Sequence, residues 1–355
     1  MLSRQLCHKT AAQGGVLSVL ALLVTAVGCS SNPLDTAPPT IEPAQAAVSP
    51  PASQRPAGAV HPLAGHAGAA AFDGGTRQLV VLTPGTDPSA PASVTVFGNP
   101  QVTPRVVELP GPASALTDDG HGTAYLAGRG GYVALDLSTR RAAQVPVADA
   151  SQTEFTALAQ RADGKLVLGS ADGAVYTLAS PVPGTAPSAG VANKTKIFAR
   201  VDSLATQGNT TVVLDRGQTS VTAIDADGHA QQALRAGRGA TSMAADPAGR
   251  VLVADTRGGQ LLVYGVDPLI LRQAYPVPQA PYGLAGSRAL AWVSQTVSNI
   301  VIGYDLSTGI PVEKVRYPTV QQPNSLAFDE ASDTLYVVSG SGAGVQVIEH
   351  AAGTR

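Results

Sequence analysis

Cysteine is nearly missing from these 355 residues, with only Cys7 and Cys29 present. A disulfide-stapled scaffold and a Cys-based zinc site are therefore excluded for everything after residue 29. Aromatic residues make up 4% of the chain, and the formal net charge is −2. No basic excess is available for a nucleic-acid surface, and nothing after residue 28 is long and apolar enough to span a bilayer as a helix. Signatures of familiar catalysis are missing as well: no G-x-S-x-G, no H-E-x-x-H and no glycine-rich run ending in Lys-Ser/Thr. Asp118-Asp119-Gly120-His121-Gly122 falls where a strand should turn, so its carboxylates read as turn residues rather than metal ligands; His61 and His66 read as surface histidines. No metal and no cofactor is expected.

What the chain has in quantity is glycine (38), proline (27) and short Val-rich runs between turn signals, a composition that favours short strands over helices. Through these runs recurs a small–large–small triplet: Ala69-Ala70-Ala71, Ala115-Leu116-Thr117, Ala157-Leu158-Ala159, Ser203-Leu204-Ala205, Ser242-Met243-Ala244, Gly283-Leu284-Ala285 and Ser325-Leu326-Ala327. Successive centres are 46, 42, 46, 39, 41 and 42 residues apart. Self-similarity at this period marks propeller blades. On an innermost strand, alternate side chains face opposite neighbours, so the large centre of one blade fills the room left by the small pair on the next. Ala70 alone breaks the size rule.

The expected fold is all-β, a seven-bladed β-propeller over residues 58–350. In the fifth copy the strands are read as Thr241–Ala245, Arg250–Ala254, Leu261–Tyr264 and Ala274–Val277. The last copy ends after Val345–Ile348, too early for a fourth strand, while Gly58–Leu63 is surplus ahead of the first copy. An N-terminal strand therefore closes the ring, with Val60 beside Val345–Ile348.

Residues 1–28 read as an export signal, with Arg4 and Lys9 ahead of the apolar stretch from Gly14 to Val27. Residues 29–57 read as a flexible tether of Pro, Ala, Ser and Thr, with a reach of roughly 80 Å at about 3.1 Å per residue.

Two resemblances add to this. Thr25-Ala26-Val27-Gly28-Cys29 resembles the lipobox of bacterial lipoproteins, which implies lipidation of Cys29 and attachment to the extracytoplasmic face of the cell membrane. Pro281–Ala285, Val253–Tyr264 and Leu335–Ser341 resemble NHL and YVTN repeats, and the whole chain resembles the propeller lipoproteins of mycobacteria and related actinobacteria.

Propellers bind at the mouth, where inner strands begin and second strands pass to third. The ring two residues before each triplet centre is Gly68, Ser114, Thr156, Asp202, Thr241, Tyr282 and Asn324, polar but with a single carboxylate. Arg129, Arg216 and Arg257 fall on loops of that face and Arg238 precedes an inner strand, with Asp215 and Asp255 beside two of them. Arginines that converge there would grip an anionic group. The expected ligand or partner site is therefore Arg129, Asp202, Arg216, Arg238, Arg257, Tyr282 and Asn324, and the expected partner an envelope protein or anionic ligand, not nucleic acid. The function expected is a membrane-anchored binding or scaffolding module. The alternative is a lactonase-like or quinoprotein-like propeller enzyme, which would need several further ligands around the channel.

Overall fold

The computed structural model describes residues 38–98, 103–180 and 188–353. These belong to one compact unit, Ala37–Arg355; the other unit, Met1–Thr36, which contains the expected signal and Cys29, lies outside the described residues. Among the described residues every regular element is a β-strand, and 28 strands make seven four-stranded antiparallel sheets. Their inner strands are Ala69–Asp73, Ala115–Asp118, Phe155–Gln160, Ser203–Gln207, Ala240–Asp246, Pro281–Gly286 and Pro323–Asp329, so each of the seven triplets starts or lies within the inner strand of its own blade. In blade 5 the remaining strands are Arg250–Asp255, Gln260–Val266 and Leu269–Pro276. The outer strand thus starts well before the expected Ala274. After the buried Leu269, Ile270 and Leu271 are both exposed, so no alternation of apolar and polar residues announces this part of the strand.

Seven buried clusters fill the seven seams between blades. Each joins the large triplet residue of one blade to small residues of the blade before: Leu116 with Ala69, Leu158 with Ala115, Leu204 with Ala157 and Ala159, Met243 with Ala205, Leu284 with Ala244, and Leu326 with Ala285. This is the size alternation that a wedge narrowing toward its axis requires. The exception at Ala70 is also explained. At that seam Phe72, on the same face two residues on, stacks on Tyr336 with ring centroids 5.3 Å apart, and Leu63 and Ala67 from the closing segment fill the rest.

Closure occurs as the complementary ends predict. Ala59–His61 pairs antiparallel with the third strand of blade 7, with Ala59 opposite Val347, Val60 opposite Gln346 and His61 opposite Val345. The fully buried Gln346 amide donates to the carbonyls of Ala57 and Pro318, at 2.8 and 3.0 Å, and so locks this strand to blade 6.

Residues 38–57 of the expected tether carry no regular strand, as their composition predicts, yet they lie on the propeller. Ala44 and Ser49 are 5% and 3% exposed, and the segment hydrogen-bonds to blades 4, 5, 6 and 7.

Candidate functional site: the channel mouth and its rim

The seven ring positions come together. Gly68, Ser114, Thr156, Asp202, Thr241, Tyr282 and Asn324 all line one cavity of about 350 Å³ at the start of the inner strands, with Arg216 at its edge. Several of their polar groups are spent on joining blades. Ser114 Oγ donates to the Phe155 carbonyl at 2.9 Å and Thr156 Oγ1 to the Val201 carbonyl at 2.5 Å. Blade 5 is joined to blade 6 by Ser242 Oγ donating to the Tyr282 carbonyl. Asn324 lies against Gly340, where a Cβ would meet its amide nitrogen at 2.4 Å, and its Oδ1 accepts from Gln322 Nε2 at 2.9 Å. A hydroxyl that bridges two wedges is a structural part first, which no sequence position announces.

Asp202 is the ring's carboxylate. It accepts the Arg216 N–H at 2.8 Å and pairs with Arg200 Nε at 3.3 Å. Burial pushes its pKa above the ordinary carboxylate value, and the Arg216 N–H and the two neighbouring arginines oppose the shift. Among the described residues no group of three or more His, Cys, Asp or Glu side chains is placed to hold a metal ion.

The four arginines do not converge. Arg129 lines a separate hollow of about 530 Å³ where blades 1, 2 and 3 meet, with Pro84, Pro112 and Glu154 in its walls. Arg216 stands at the channel edge on blade 4, and Arg238 and Arg257 stand on blade 5. Asp215 and Asp255 do not neutralise them. Both carboxylates are fully buried and accept backbone N–H groups, Asp255 from Arg238, Gly239 and Gly258 at 2.8–2.9 Å and Asp215 from Ala199, Arg200 and Gln218. Each pins its own loop and the chain entering its blade, which is why an Asp ends the second strand there.

Two of the arginines are already engaged, and by this chain. Arg216 Nη2 donates to the Ala44 carbonyl, and Arg257 Nη2 to the Glu42 carbonyl at 2.9 Å. Further round the rim, Gln322 Nε2 reaches the Ala47 carbonyl, Gln321 Nε2 the Ser49 carbonyl and Asn299 Nδ2 the Pro50 carbonyl, at 2.8–2.9 Å. Ile41 N donates to the Gly217 carbonyl, Ser49 N to Gln322 Oε1 and Ser49 Oγ to the Thr296 carbonyl. Asn299 and Gln322 sit at φ of 52° and 56°, a left-handed backbone unusual for residues with side chains. Such strain persists where surroundings over-determine it, and here it accompanies two of the three amides that reach the segment. Gln321, Gln322, Asn299 and Thr296 were not among the residues expected at the site. Uncharged amides on loops carry no pattern that marks them.

Fold and mouth define a seven-bladed β-propeller whose rim holds an extended peptide. No protein-family model matches the chain, and no curated protein sequence does. Solved structures that resemble it include a chain of a mitotic checkpoint complex (12% identical, TM-score 0.66, covering 87% of this chain and 99% of that one). Hydrazine synthase of Kuenenia stuttgartiensis resembles it too (13% identical, TM-score 0.63, covering 80% and 95%). So does virginiamycin B lyase from Staphylococcus aureus (9% identical, TM-score 0.62, covering 80% and 94%). At such identities the likeness establishes the fold alone.

Proposed function

We propose that this chain is a membrane-anchored extracytoplasmic lipoprotein, of the kind found in actinobacterial envelopes, whose propeller is a binding or scaffolding module. The observation that carries the binding half is the rim itself. Five side chains from blades 4 to 7 donate to five peptide carbonyls within residues 42–50, and a rigid ring of loops loses little entropy in doing so. Arg129 by blade 2 and Arg238 by blade 5, whose guanidinium groups bond to no described residue, remain for separate anionic groups on the partner. The lipobox-like run ending at Cys29 supports the anchoring half. With residues 41–57 held on the propeller, the reach to the membrane shortens from roughly 80 Å to about 35 Å, the span of residues 30–40 at about 3.1 Å each.

Two measurements test the two halves separately. Cys29→Ala should abolish lipid labelling and move the protein out of the membrane fraction; an unchanged lipid-labelled membrane product would contradict the anchor. Replacing Arg129, Arg216, Arg238 and Arg257 together by Ala should leave the fold intact and abolish capture of the material that the wild-type chain retains from envelope extracts. Equal capture at low and moderate salt would contradict this face as the binding surface.

A further inference from the structure

The groove over blades 4 to 7 recognises main chain rather than side chains. Its donors meet the carbonyls of Glu42, Ala44, Ala47, Ser49 and Pro50, groups that any residue supplies. Side-chain selection is confined to two places, Ala44 and Ser49, which are buried where only a small residue fits. Gly239 is the floor beneath Ala44: a Cβ built there would stand 2.9 Å from the Ala44 Cβ. Val48, between the two, is 89% exposed and contributes nothing to recognition. The chain that fills the groove has proline at positions 43 and 50 and is flanked by proline at 38, 39 and 51, which favours an extended backbone with its carbonyls turned outward. Carbonyl capture of a pre-extended, proline-flanked chain is a recurring mode of peptide recognition.

Deepening the binding-module reading, we infer that this groove is a peptide site for extended, proline-flanked segments with small residues at two positions five apart, held in cis by residues 41–50 and open to a partner's segment of the same chemistry when they leave. Departure is within reach of thermal motion. Eight hydrogen bonds hold the segment, no large apolar side chain of it is buried, and ordering ten residues costs conformational entropy at each. The joint to the closing strand at Ala59 is short, so the cis segment competes at a local concentration near the millimolar range. A partner must therefore bind more tightly than the resident or be held nearby. Its carbonyls would take the same amides and guanidiniums, and an acidic group on it would meet Arg238 beside the groove.

The test uses the full-length chain in detergent and a fluorescent peptide of residues 38–53. Ala44→Glu with Ser49→Glu places two carboxylates where only small side chains fit and opens the groove, and since neither residue belongs to a blade the seven seams stay intact. The peptide should bind the opened chain at least tenfold more tightly than the wild type, whose groove is filled. Adding Arg257→Ala and Gln322→Ala should cut that binding at least tenfold, and a peptide carrying the two Glu substitutions should not bind. Equal binding to the opened and wild-type chains would overturn the inference, as would binding of the Glu-bearing peptide as tight as that of the natural one. Neither readout involves the membrane, so failure here is distinguishable from failure of the anchor.

Discussion

Closure of the ring hangs on Gly58. Its φ is +70°, and a Cβ built on it would stand 2.1 Å from the Val347 carbonyl oxygen, closer than any real contact. Gly58→Ala therefore brings two costs. Left-handed strain on a residue with a Cβ is roughly 1–2 kcal/mol. The clash then pushes Ala59–His61 off blade 7, forfeiting the pairing of three residues, worth about 1 kcal/mol per backbone hydrogen bond, for a total of roughly 4–5 kcal/mol. Gly164 supplies the control, since it has φ +80° but no heavy atom within 4 Å of its built Cβ, so Gly164→Ala carries the strain alone. Unfolding entropy of about 2.1 cal/mol/K per residue over roughly 300 residues makes 1 kcal/mol worth about 1.6 °C. Thermal melts followed by circular dichroism should fall by about 7 °C for Gly58→Ala and by about 2 °C for Gly164→Ala. Equal shifts would refute the argument that the N-terminal strand holds the ring shut.

Asp118 supplies a pH test. Burial pushes its pKa up from 3.8 to about 6, with Asp73 and Asp119 adding to the shift and the Gly120 N–H opposing it. The folded form holds this proton more tightly than the unfolded chain, so the contribution to stability is present below the unfolded value and is lost as pH rises through about 6. Asp118→Asn should be more stable than wild type by up to about 3 kcal/mol near neutral pH, with the gap closing toward about pH 3.5; melts that run parallel across that range would contradict it. Asp255→Ala leaves the N–H groups of Arg238, Gly239 and Gly258 without their acceptor and should cost about 3 kcal/mol or more in a denaturant titration. A loss within the range of a surface substitution would show that water replaces the carboxylate.

The propeller was legible because its packing is periodic. Wedge geometry forces small and large residues into fixed places on each inner strand, and the positions of Leu116, Leu158, Leu204, Met243, Leu284 and Leu326 carry it in one dimension. The closing strand was legible from a surplus at one end and a deficit at the other. Ala70 was not, since its compensation by Phe72, Tyr336 and Leu63 joins residues far apart in sequence. The channel ring followed from the period, but the blade-bridging roles of Ser114 and Thr156 did not. Least legible was the docked segment. Composition reports whether a stretch can bury apolar surface, and residues 41–50 bury almost none; they are held by carbonyls, which every sequence has.

Whether the rim holds residues 41–50 is measured most directly by a cross-link. Thr40 passes over Gly217, and a Cβ built on Gly217 stands 3.3 Å from the Thr40 Cβ, close to the separation in a disulfide. In the full-length chain carrying Thr40→Cys and Gly217→Cys, mild oxidation followed by peptide mass mapping should find the two positions joined in most molecules, while Thr40→Cys with Gly164→Cys, on another turn, should give none. A yield from the first pair no higher than from the second would contradict a rim that binds extended chain.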